Sequence, residues 1–248
     1  MRAERPFWLM LLGLIVLTPT AGRADIVVAD LSSHLIAITT GFTGASVVLF
    51  GATDGKADVI AVVRGPERDV TIWRKDKIFG IWANAEAVTF ANIPSFYAVA
   101  ATAPLGDLLS PAAATLYKIG TNNIKFEPKS ATSPDRARVF ADALIDTQKR
   151  AGVFSPSHEK ISFLGDRLFR TTFFFPANVP TGTYLVEIFL VRDKDVVGGQ
   201  TTPLVVSKVG VDAAVFNFAR SDALAYGAIA VVMAVMAGWV ASLPFRNT

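Results

Sequence analysis

Twenty consecutive residues near the carboxyl end, Leu224 to Leu243, carry no charge and read LAYGAIAVVMAVMAGWVASL. At 1.5 Å per residue they would rise about 30 Å as a helix, the thickness of a bilayer's hydrocarbon core. A run this apolar cannot be solvated on every side, and almost no chain follows to bury it. It predicts a transmembrane helix over 224–243. Tyr226 and Trp239 sit near its two ends, where amphipathic rings favour the headgroup level, and Arg246 follows in a short tail, 244–248. These three residues are the expected membrane-interface anchors. Ala230, Ala234, Gly238 and Ser242 recur every four residues and place small side chains on one helix face. Such a stripe admits close approach of a second helix. The expected partners are therefore the lipid bilayer and either a second copy of the chain or an inner-membrane protein such as a permease.

The amino end points to a membrane in a different way. Arg2 and Arg5 precede an apolar run of 11 residues, Phe7 to Leu17, which Pro19 breaks before the small residues Ala21, Gly22 and Ala24. Eleven helical residues rise only about 16 Å, too short to span a bilayer. Residues 1–24 therefore read as a cleaved secretory signal with its junction at Ala24–Asp25. The implied topology is a periplasmic domain from Asp25, one pass through the inner membrane, and a cytoplasmic C-terminus.

The formal charge of +3 has the same origin. Arg2, Arg5 and Arg23 oppose only Glu4 in the first 24 residues, and the remainder carries 21 basic and 20 acidic side chains. That balance excludes a nucleic-acid footprint, which needs a basic face on the folded domain. The chain has no cysteine. Disulfide scaffolds and thiolate-ligated metals are excluded, and an exported domain must be held by its core alone.

Between the two ends the sequence reads mostly as strands. Runs rich in β-branched and aromatic residues are expected at His34–Thr39, Ser46–Phe50, Asp58–Val63, Val70–Arg74, Ile78–Ala83, Ala87–Ala91 and Phe96–Ala100. Two helices interrupt them, opened by Ser110-Pro111 and Ser133-Pro134 and closed by Gly120 and Gly152. In the second, Val139, Phe140, Ala143 and Leu144 share the expected apolar face. Strands resume at Ile161–Leu164, Leu168–Phe175, Gly182–Val191 and Gln200–Val206. The last group is too short to close a core unaided. The expectation is therefore mainly β: an immunoglobulin-like β-sandwich over 25–208 with a two-helix insertion at about 105–152. A linker helix over 209–223 and a single C-terminal transmembrane helix follow. Two separate small β-domains are the alternative.

No catalytic constellation stands out. His34 and His158 are the only histidines, and neither has a second histidine at metal-ligand spacing. Ser32, Ser33 and His34 are adjacent, but neighbours on a strand point to opposite faces, and no G-x-S-x-G motif occurs. Gly41-Phe42-Thr43-Gly44 lacks the lysine of a phosphate loop. Trp73, Trp82, Phe96 and Tyr97 could line a groove, with core or interface packing the simpler expectation. The stretch Lys118, Lys125, Lys129, Arg136 and Arg138, opposed by Glu127 and Asp135, reads as a solvated face with anion capture as the functional alternative. No enzyme activity and no cofactor is expected.

Four segments together resemble an uncharacterised alphaproteobacterial family of putative transmembrane proteins. They are SSHLIAITTGFTGASVVLFGATDG (Ser32–Gly55), NIPSFYAVA (Asn92–Ala100), LFRTTFFFPANVPTGTYLVEIFL (Leu168–Leu190) and YGAIAVVMAVMAGWVASLPFR (Tyr226–Arg246). The resemblance implies an exported domain, a C-terminal anchor, a gene neighbourhood containing sulfite-exporter-type permeases, and no assigned activity. It carries over no catalytic residue. The chain departs from the family's glycine-like turn at Asp193-Lys194-Asp195. The expected role is a membrane-anchored periplasmic accessory or binding protein beside a transporter. The alternatives are a tethered module for a small anion or envelope component and, weakest, an envelope hydrolase.

Overall fold

The computed structural model describes residues 27–55 and 57–242. The expected signal 1–24, its junction at Ala24–Asp25, Leu243 and the tail with Arg246 lie outside the described residues.

Thirteen strands are described, and their alternation explains how they layer. Strands β1 (Val27–Leu31), β3 (Gly44–Thr53), β10 (Ser162–Leu164) and β11 (Leu168–Pro176) form one sheet in the order β1-β3-β11-β10. In β11, Phe169, Thr171, Phe173 and Phe175 are buried, while Leu168, Arg170, Thr172 and Phe174 between them are exposed. That period of two is the mark of a sheet with one wet face. Gly51 on β3 shows how close the packing is: a Cβ there would lie 2.6 Å from both the Val28 carbonyl oxygen and the Phe169 ring.

The second sheet is different. Its order is β2 (Leu35–Ile38), β13 (Asp195–Lys208), β12 (Gly182–Arg192), β4 (Asp58–Arg64), β7 (Tyr97–Ala101), β9 (Glu159–Lys160). Val59 to Val63 are all fully buried, as are all five residues of β7. A strand without alternation must be covered on both faces. One cover is the first sheet, through stacked Phe96 and Phe175 (4.9 Å between centroids) and the edge contact of Phe175 with Tyr184 (5.9 Å). The Tyr184 hydroxyl donates to the Pro180 carbonyl at 2.5 Å, a tyrosine corner. Burial pushes its phenol up to about 12. The Gln200 side chain ties the sheets along one side: its amide exchanges two hydrogen bonds with the Ala29 backbone, at 2.9 and 2.8 Å.

The other cover is the segment that interrupts the strands. It contains α1 (Leu105–Leu108), α2 (Pro111–Leu116), a 3-10 turn (Thr121–Asn123), β8 (Glu127–Pro128) and α3 (Pro134–Arg150). Ser110 caps α2, its Oγ accepting from the Ala113 N–H at 3.2 Å. Val153 to Ser155 then pair with Tyr97. Both sheets mix strands from before and after this insertion.

A third sheet, β5-β6-β8, is mostly one long hairpin of β5 (Glu67–Ile78) and β6 (Ile81–Pro94). Three separate strands were expected there, one of them running straight through Phe79 and Gly80. The chain instead reverses at those two residues, both at positive φ (52° and 85°), the geometry of a type I′ turn. Phenylalanine carries no turn signal, so the sequence hides this reversal. In α3 the expected face is rotated: Phe140, Ala141, Leu144, Ile145 and Gln148 are buried, whereas Val139 and Ala143 are exposed.

The largest correction concerns the C-terminus. Helices α4 (Val211–Ser221) and α5 (Ala223–Ser242) follow β13. Among the described residues no helix is long and apolar enough to cross a membrane. The transmembrane helix expected over 224–243 is therefore not supported.

Candidate functional site: the Arg64 cleft and the apolar C-terminal helix

Arg64 ends the fully buried run of β4 and stands level with Tyr97 on β7 and Leu185 on β12. Directly opposed residues of antiparallel strands share a face. The guanidinium therefore rises on the side of the sheet that the insertion covers, with 19% of the side chain exposed. A cation so placed needs partners, and it has several. Nη1 pairs with the Glu187 carboxylate, and Nη2 donates to the carbonyls of Tyr117 (2.8 Å) and Lys118 (3.2 Å). The Tyr97 ring lies 6.0 Å from the guanidinium carbon. Burial lowers the Arg64 pKa, partly offset by Tyr97 and Glu67.

Tyr97 fastens the same loop. Its hydroxyl donates to the Lys118 carbonyl at 3.1 Å and accepts the Gly120 N–H at 2.7 Å. Burial raises its phenol pKa, with the Arg64 charge and the Gly120 N–H opposing. Lys118 is held at φ 52° and Gly120 at 94°, so the loop bends sharply around these two anchors. On one side of this knot lies a cleft of about 620 Å³, lined by Arg64, Glu67, Asn92, Lys118, Lys125 and Glu187 among others. On the other lies a cleft of about 420 Å³, bordered by Tyr97, Leu105, Asn123, Ser155 and His158. With Glu187 committed to Arg64, the larger cleft presents Lys118 and Lys125 against Glu67, a modest attraction for an anion.

The structure disperses the other expected residues. His34 Nε2 sits 2.8 Å from Asp30 Oδ1, both side chains more than half exposed. His158 borders the smaller cleft, far along the chain from that pair. Among the described residues no group of three His, Cys, Asp or Glu could hold a metal ion. The basic stretch is divided: Lys118 and Lys125 border the larger cleft, Lys129 pairs with Asp69 at 2.5 Å, and Arg136 pairs with Glu86. Phe96 and Tyr97 are core residues, but Trp73 and Trp82 are exposed. Arg64 and Glu187 were missed. Glu187 is a charged residue inside an apolar run of β12 and Arg64 closes the apolar run of β4, and those two positions were the available signal.

Helix α5 is the second feature. Every residue from Ala223 to Trp239 is exposed, including Ala230, Ala234 and Gly238 of the small-residue stripe. The Ser242 side chain lies outside what is described. Tyr226 meets Phe218 of α4 edge-on at 6.2 Å. A Cβ at Gly227 or Gly238 would meet nothing within 4 Å.

The fold thus defines a two-sheet β-sandwich with a helical insertion over one sheet and an apolar helix after it. Residues 26–247 match the family described as putative transmembrane protein (Alph_Pro_TM), and the chain belongs to that family. No curated protein and no solved structure matches the chain.

Replacing Arg64 alone should leave Glu187 half-buried without its counter-ion. Arg64→Met is expected to lower the unfolding free energy by about 3 kcal/mol. The double variant Arg64→Met with Glu187→Leu should recover most of that loss. Urea unfolding of the full chain in detergent measures both; additive losses would show that the pair is not coupled.

Proposed function

We propose that this is a membrane-associated accessory protein without catalytic activity. Its β-sandwich works on the exported side of the inner membrane, and α5 packs against the apolar surface of a membrane-embedded partner such as a permease. The observation that carries this reading is α5 itself. A helix that is apolar all round is a buried helix, yet the residues from Ala223 to Trp239 are exposed in the described structure. Its cover lies outside the described residues, and the family's description as transmembrane agrees with an apolar source. The stripe Ala230, Ala234, Gly238 supplies a face on which a second helix can come close.

The test is a photo-crosslinking residue at Val235, activated in native membranes. The expected outcome is a discrete adduct with an integral membrane protein, identified by mass spectrometry, and its loss on Gly238→Ile. Adducts with lipid alone, or with soluble proteins, would contradict the reading.

The larger cleft favours a second role for the same domain, capture of a small oxyanion. Lys118 and Lys125 at its rim are exposed and unopposed except by Glu67. Sulfate or sulfite should raise the thermal midpoint of the full chain in detergent, and Lys118→Gln with Lys125→Gln should abolish the increment. An equal increment in that variant would place any anion elsewhere.

A further inference from the structure

The hairpin β5–β6 extends well beyond the body it springs from. Ile72 and Val88 are its last inward-packed pair; from Trp73 to Ala87 no described side chain is buried. Six steps along the strand from Trp73 to Phe79 carry the turn about 20 Å outward. The arm is braced rather than loose. Glu86 receives both Arg74 (3.4 Å) and Arg136 of α3, and β8 pairs with β6 at Phe90 and Ala91.

The two faces of the arm differ in chemistry. Register places Trp73 opposite Ala87, Lys75 opposite Asn84 and Lys77 opposite Trp82, all on one face. That face contains two tryptophans and two lysines and no carboxylate. Asp76 and Glu86 belong to the opposite face, where Glu86 is held by its arginines. Trp73 is 56% and Trp82 65% exposed, with the Lys77 ammonium 5.6 Å from the Trp82 ring centroid. At the end of the arm Phe79 is fully exposed in a left-handed conformation.

Phe79 is the informative residue. A non-glycine residue pays about 1–2 kcal/mol to sit in that conformation, and asparagine before glycine would suit a type I′ turn far better. The turn thus accepts strain to present a large ring to the outside. Strain retained at one exposed residue points to use of that residue. Amphipathic rings interleaved with lysines, free of acidic side chains, match the boundary between headgroups and acyl chains of an anionic bilayer.

We infer that the tip of this hairpin is a second membrane contact: Phe79 enters the acyl boundary while Trp73, Lys75, Lys77 and Trp82 lie among anionic headgroups. The contact is independent of whatever covers α5. It would fix the orientation of the β-sandwich against the lipid surface, with the arm as a spacer.

Because the chain has no cysteine, Ile81→Cys gives one labelling site beside the turn for an environment-sensitive fluorophore. The labelled full chain is reconstituted into vesicles of phosphatidylcholine with phosphatidylglycerol, and into phosphatidylcholine alone. The expected result is a blue shift and quenching by spin-labelled lipid, stronger in the anionic vesicles. Phe79→Asn should reduce both signals while leaving the urea midpoint unchanged or raised, since the turn is relieved. Lys75→Gln with Lys77→Gln should remove the preference for anionic lipid. A fluorophore that reports water in both vesicle types and escapes the lipid quencher would overturn the inference. So would a blue shift without lipid quenching, which would mean that the tip is buried against protein, either a second copy or a partner.

Discussion

The structure depends on one constraint: the central strands of the second sheet are apolar on both faces, so both faces must be covered. Val59 to Val63 on β4 and Tyr97 to Ala101 on β7 leave no side from which water is admitted. One side is closed by the phenylalanines of β11. The other can be closed only by the segment between β7 and β10. The insertion is therefore the third layer of the domain rather than an ornament on a finished sandwich. Removal of that layer would expose the ring of Tyr97 together with the outward row of β12.

The polar groups follow from that burial. The insertion adds Leu108, Leu109, Ile119 and Leu144 to the core, but apolar contact alone is non-directional. Arg64 and Tyr97 supply directional attachment, through carbonyls at Tyr117 and Lys118 and the N–H of Gly120. Hydrogen bonds to a charged donor in a partly desolvated place are stronger than neutral ones. The same attachment that closes the sheet leaves clefts on its two sides, because a loop pinned at two points cannot fill the whole surface. Structure and candidate site thus share a cause, and a ligand in the larger cleft would sense the loop that holds the layers together.

Much of the sandwich was legible because alternation and turn chemistry are local signals. β11 shows its period of two in Phe169, Phe173 and Phe175, and Ser110-Pro111 marks a cap that the structure forms with its side chain. The hairpin was not legible, since its turn uses a phenylalanine where turn residues are expected. Nor was the face of α3, because Val139 points away from a sheet whose position only the tertiary fold sets. The span expected over 224–243 rested on lack of charge alone, and among the described residues no helix is long and apolar enough to cross a membrane. Arg64 gains its partners only because β4, β7 and β12 lie side by side, a pairing set by the tertiary fold.

We propose one account that joins these features: a domain closed by its own insertion, brought to a lipid surface by apolar groups at its periphery, and working outside the cytoplasm. Sidedness is the claim on which the rest stands. Asp146, exposed on α3, offers a position for a single engineered cysteine in this cysteine-free chain. Spheroplasts carrying Asp146→Cys would be treated with a membrane-impermeant maleimide before and after lysis. The account predicts full labelling of intact spheroplasts; labelling that appears only after lysis would contradict it.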